Sequence, residues 1–131
     1  MAAIALGRQH SCAFIPDQGV ECWGSNTYGQ LGDGTSDDRS TPGAVSNIGA
    51  DVVSVKAGAY VTCALEMTGA MECWGRNENG RLGAGTVTAY ESLPKVVVQE
   101  PEGLIGFAGV NSISVGGAHA CAISTTVPPQ P

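Results

Sequence analysis

Clustered carboxylates suit hard cations, and the stretch GDGTSDD brings Asp33, Asp37 and Asp38 within six residues of one another. Gly24, Gly29, Gly32 and Gly34 lie in or beside it, and glycine-rich loops can cradle anions. His10 and His119 are candidate bases or ligands. Cys12, Cys22, Cys63, Cys73 and Cys121 are candidate metal ligands or disulfide partners.

Internal repetition tests most of these chemistries. The stretch ECWGSNTYGQLGDGT (21–35) returns as ECWGRNENGRLGAGT (72–86), with ten of fifteen residues kept. The glycines recur as Gly75, Gly80, Gly83 and Gly85, without the Lys-Ser/Thr ending that a phosphate loop needs, so they read as tight turns. Asn26, Asn77, Thr35 and Thr86 are expected to bond backbone in those turns, the asparagines in Asx geometry. The second copy, GAGTVTA, has lost all three aspartates, so the first is expected to be a solvated acidic loop and not a metal site. Val61 stands where the flanking copies have His10 and His119, which makes a packed, hydrogen-bonded histidine the better reading. No Ser/His/Asp constellation assembles, and neither catalysis nor a cofactor is expected.

The cysteines follow the same repeat. A hairpin centred on IPDQG sets Cys12 opposite Cys22, and its counterpart around EMTG sets Cys63 opposite Cys73. Facing positions of an antiparallel pair come within disulfide range. Two disulfides are therefore expected, with buried reduced thiols as the alternative and zinc disfavoured by the lack of CxxC. The equivalent partner of Cys121 falls at Pro131, so Cys121 is expected to be unpaired or intermolecular. Disulfides in turn imply an oxidising compartment, extracellular or at the cell surface, although MAAIALGRQH is too short an apolar start for a signal peptide.

The elements that must position these residues are short strands. Gly7 to Gly58, Cys12 to Cys63 and Trp23 to Trp74 are all separated by 51 residues, and Gly58 to Gly116 by 58. The seven extra residues fall in the second unit, mostly around VVVQEPEGLIGFAGV, as a surface insertion. AIALG, VSVKAG and SISVG are β-prone runs ending at glycine, and HSCAF/VECWG and VTCAL/MECWG are hairpins. TPGAV and LPKVVV close the units, with Pro42 and Pro94 expected at strand starts. No window carries a helical period. The class is all-β: blades of about four antiparallel strands of a β-propeller. Repeat one covers about 3–52, repeat two about 53–110 and a partial third about 111–124, before a proline-rich tail at 125–131. Trp23 and Trp74 are expected to pack between blades. Because blades need neighbours on both faces, the segment is expected to belong to a larger propeller or to be completed by other chains.

The pattern CWGSNTYGQLGDGT, repeated as CWGRNENGRLGAGT, with GRQHSCA and GGAHACA, resembles the regulator of chromosome condensation repeat family. The resemblance covers nearly the whole chain and implies a propeller, usually of seven blades. Its cysteine-bearing form looks like the bacterial secreted or cell-surface branch. Functions within the family diverge: nucleotide exchange on a small nuclear GTPase with chromatin binding, light sensing, and inhibition of a β-lactamase. The fold therefore carries no single function with it.

Charge narrows the partners. Six Lys/Arg against twelve Asp/Glu give a net charge of −6, which argues against nucleic acid and acidic membranes, and no run is long enough to span a bilayer. The expected function is a non-catalytic, extracytoplasmic protein-interaction scaffold. Alternatives are a subunit that self-associates through open blade edges into a ring or filament, and a fragment of a larger propeller that inhibits an enzyme. Residues that differ between copies are the candidate contacts, since scaffold demands are shared: Tyr28, Asp33, Asp37, Asp38, Arg39, Asn79, Arg81, Tyr90 and Glu91.

Overall fold

The computed structural model describes residues 3–48, 51–67, 70–78, 82, 88–96, 110–116 and 120–124. Strands β1 (Ala3–Leu6), β2 (His10–Ile15), β3 (Gly19–Gly24) and β4 (Arg39–Ala44) form one antiparallel sheet in sequence order. Strands β5 (Val52–Ala57), β6 (Val61–Glu66), β7 (Met71–Arg76) and β8 (Tyr90–Val96) form a second, and β9 (Val110–Val115) pairs with β10 (Ala120–Ser124). The fold is all-β, built of propeller blades. The proline-rich tail, His119 and most of the seven-residue insertion lie outside the described residues.

Turn chemistry fixes the register. In IPDQG, Asp17 and Gly19 take positive φ (67° and 95°), conformations that Asp tolerates and Gly favours. Ile15 then pairs with Gly19, and three pairs further on Cys12 faces Cys22. In the second blade Leu65 pairs with Met71, and Cys63 faces Cys73.

Period-two alternation gives each blade a forward and a back face. On β2 the forward residues His10, Cys12 and Phe14 are buried, whereas Ser11 and Ala13 on the back are half-buried. Strand β6 is buried from Val61 to Leu65, because both of its faces are covered. Thr62, Ala64 and Trp74 face back onto the first blade. Val61, Cys63 and Leu65 face forward, into a cluster that Val115 of β9 joins.

Pro42 and Pro94 correct the expectation that they start strands. Each sits inside the outermost strand of its blade, where the ladder is irregular. Cys22 pairs with Gly43 and Gly24 with Arg39; Cys73 pairs with Lys95 and Gly75 with Glu91. The residues skipped include the proline, whose missing N–H costs nothing at a bulge on an edge strand.

Candidate functional site

The site is the seam between the first two blades and the rim above it. Its organiser is Asn26, fully buried in the loop between β3 and β4. The Asn26 Oδ1 accepts from the Leu31 amide at 3.0 Å. Its Nδ2 donates to the carbonyls of Thr35 (2.9 Å) and Asp37 (3.0 Å), and to Asp33 Oδ1 at 3.2 Å. These partners lie five to eleven residues away. Asn26 therefore plugs the whole loop, which corrects the local Asx turn expected from sequence. Asn77 plays the same part in the second loop, accepting from Leu82 N at 3.1 Å and donating to Thr88 Oγ1 at 2.9 Å.

The plugged loop presents the carbonyl of Gln30 to the second blade. Trp74 Nε1 donates to it at 2.9 Å, and Thr62 Oγ1 at 2.9 Å. Gly32, with φ +70°, lies flat against the indole, and a Cβ there would stand 2.7 Å from Trp74 Nε1. Trp74 is fully buried, the packing between blades expected of it.

His10 crosses the same seam, its Nε2 lying 2.8 Å from Thr62 Oγ1. Because the Thr62 hydroxyl donates to Gln30, the histidine must donate to Thr62, which fixes the neutral Nε2–H tautomer. Its Nδ1 is buried with no partner among the described residues. Protonation would place a charge and an unpaired N–H in that seam, and burial lowers the pKa from 6.5 to about 4. Folding thus favours the neutral ring. The stabilisation is complete above pH 6.5 and is lost as the pH falls towards 4, by about 3 kcal/mol in all. Urea titrations between these pH values are expected to show this slope, and His10→Gln, which keeps a donor for Thr62, to flatten it.

The candidate contacts differ in what they touch. Asp33 and Asp38 serve the loop itself. Asp33 Oδ1 accepts from Thr35 Oγ1 (2.7 Å) and Thr35 N (3.0 Å), and Asp38 Oδ1 from the Asn26 amide at 2.7 Å. Burial pushes the Asp33 carboxyl up, but the bonds from Thr35 and Asn26, with nearby Arg39, outweigh it and hold the pKa below its ordinary value. Asp37, Arg39 and Tyr90 are exposed, and Glu91 accepts from Thr88 Oγ1 at 3.0 Å. Among the described residues no group of three His, Cys, Asp or Glu could hold a metal ion. Asn79 and Arg81 lie outside the described residues.

Tyr28 behaves differently, joining Tyr60 and Arg76 of the second blade. Its ring lies 5.0 Å from that of Tyr60, with the Arg76 guanidinium 5.0 Å from the Tyr28 centroid and 5.7 Å from that of Tyr60. Arg8 stands 6.0 Å over Tyr60. The first-blade counterparts of Tyr60 and Arg76 are Gln9 and Ser25, and the second-blade counterpart of Arg8 is Ala59. The same logic of unlike copies, extended from the loops to the strand ends, would have found them.

The cysteine pairs lie on the forward faces. Cys12 and Cys22, and likewise Cys63 and Cys73, have Cα atoms 4.1 Å apart with their sulfurs at bonding distance. All four are fully buried. Cys121 lies on β10, in register with Ser114.

Fold and seam together define a propeller segment built from interlocking repeats. Residues 20–65 and 69–123 match the profile of the regulator of chromosome condensation (RCC1) repeat, and the chain belongs to that family. It is similar to the E3 ubiquitin-protein ligase HERC2 of Homo sapiens, 33% identical over 93% of this chain and 2% of HERC2. It is also similar to the ultraviolet-B receptor UVR8 of Arabidopsis thaliana, 29% identical over 95% of this chain and 27% of the receptor. The chain thus spans 2% and 27% of the lengths of these two relatives. Human WBSCR16 shares the fold with a TM-score of 0.79 at 20% identity, over 94% of this chain and 30% of that one. Prp20p of Saccharomyces cerevisiae does so at 0.69 and 22%, over 94% and 31%.

Proposed function

We propose that the chain is a non-catalytic, propeller-based protein-interaction scaffold, and that the back face of its first blade receives a further blade of the same repeat. The observation that carries this is a comparison within the chain. Val55 and Trp74, on the back of the second blade, are 3% and 0% exposed because the first blade covers them. Their counterparts Ile4 and Trp23 are uncovered: Ile4 is 70% exposed, as is Leu6 beside it, and Trp23 is only half-buried. Ser11 stands where Thr62 does, ready to donate to the same kind of carbonyl.

For the chain by itself, the available blade is that of a second copy, so the apolar face drives self-association. Light scattering on a size-exclusion column tests this. The wild-type chain is expected to elute as an assembly, and an Ile4→Asp/Leu6→Asp variant as a 13.3 kDa monomer. A wild-type monomer with an unchanged melting curve would sink the proposal.

The class of partner rests on the family. The crystal structure of Prp20p is described with its binding to Gsp1p and histones, both proteins. An extracytoplasmic location, in the manner of a secreted or cell-surface propeller, rests on the facing cysteines alone. Thiol titration of the chain unfolded without reductant is expected to find at most one reactive thiol, Cys121, of the five cysteines. Five reactive thiols in protein purified without reductant would remove the support for that location.

A further inference from the structure

We propose that the rim over the blade seam, formed by Arg8, Tyr28, Tyr60 and Arg76, docks an acidic segment of a protein partner. The proposal deepens the scaffold reading and rests on it.

None of the four residues is required by the repeat. Their counterparts in the other copy are Ala59, Asn79, Gln9 and Ser25, and a blade of the same design is built around those. What the seam does is bring together side chains from both blades. Tyr28 comes from the first blade's loop, Arg8 from its β1–β2 turn, Tyr60 from the β5–β6 turn and Arg76 from the end of β7. Two of the chain's six basic residues thereby stand within 6.0 Å of one ring, in a molecule whose formal charge is −6.

A guanidinium within about 6 Å of an aromatic face is attracted to the ring and still has N–H groups to offer a carboxylate. Arg76 already gives one nitrogen to Glu78 at 2.6 Å, and the pair is partly exposed. Arg8 is exposed and belongs to no ion pair among the described residues. The charge of Arg8 is thus available. Tyr60 beside it, and Tyr28 against Tyr60, supply apolar area in a residue type that often anchors interfaces.

A labelled oligo-glutamate peptide is the probe, with oligo-glutamine of the same length as its control, followed by fluorescence anisotropy. The wild-type chain is expected to bind oligo-glutamate and not oligo-glutamine, less tightly as salt is raised. Arg8→Glu is expected to weaken binding about tenfold or more with an unchanged melting temperature, because Arg8 supports no buried contact. Lys95→Glu makes the same change of charge on the exposed outer strand and should bind normally.

Absence of oligo-glutamate binding overturns the proposal. So does equal binding of oligo-glutamine, which would make the rim an aromatic surface indifferent to charge, or an equal loss in Lys95→Glu, which would make the attraction general. None of these results touches the scaffold reading, which is tested by the assembly state of the Ile4→Asp/Leu6→Asp variant.

Discussion

Trp74→Ala is expected to destabilise the chain by about 3–5 kcal/mol, whereas Trp23→Ala in a monomeric background costs about 1 kcal/mol. Urea melts followed by circular dichroism measure both. The two tryptophans occupy the same position of the same motif, so a rule written on the motif alone would give equal costs. The surroundings differ. Trp74 is fully buried, lies against Gly32 and donates to the Gln30 carbonyl. Its removal opens a cavity that the flat Gly32 backbone cannot fill, and takes away one of the two donors on that carbonyl. Trp23 stays partly exposed, so its removal opens no enclosed cavity. Equal costs for the two would mean that the seam is not what holds Trp74.

Asn26→Ala is expected to cost about 2–4 kcal/mol, since a buried group left without its partner loses about 1–3 kcal/mol. The substitution strands the Leu31 amide and the carbonyls of Thr35 and Asp37 in one step. The damage should pass to the second blade, because the same loop presents Gln30 to Trp74 and Thr62. Asn26→Asp is the sharper variant. It keeps the acceptor for Leu31 but sets a second carboxylate beside Asp33, where the amide now donates at 3.2 Å. At neutral pH it is expected to be less stable than Asn26→Ala, and to recover as acidification neutralises the pair. An Asn26→Ala variant as stable as the wild type would show that the loop holds its shape without the plug.

Much of this was legible in the sequence, because repetition supplied its own control. The paired copies gave strand positions, and the turns IPDQG and EMTG gave the register that sets cysteine opposite cysteine. Val61 in the place of His10 already argued for a packed histidine, and His10 is buried against Thr62. What stayed hidden involves groups that a sequence does not display. The partners of Asn26 are mostly backbone atoms of a loop whose path is fixed only on folding. Asp33 and Asp38 differ between the copies, which points to surface roles, yet both bond inward. The second loop meets part of the same need with Thr88. Pro42 and Pro94 looked like strand starts because a regular ladder was assumed, and the bulges that admit them exist only in the paired sheet. Tyr60 and Arg76 differ from their first-blade counterparts Gln9 and Ser25, but their meeting with Tyr28 arises from packing between blades, which no local pattern encodes.

The most direct test of the account is hydrogen exchange at the two indole N–H groups, followed by NMR and assigned with Trp23→Phe. In the monomeric Ile4→Asp/Leu6→Asp variant, the Trp74 indole is expected to be protected by Gln30 while that of Trp23 exchanges freely. In the assembled wild-type chain both should be protected, because an arriving blade offers Trp23 the carbonyl that Gln30 offers Trp74. A Trp23 indole that exchanges freely in the assembly would contradict the claim that this face is built to receive another blade.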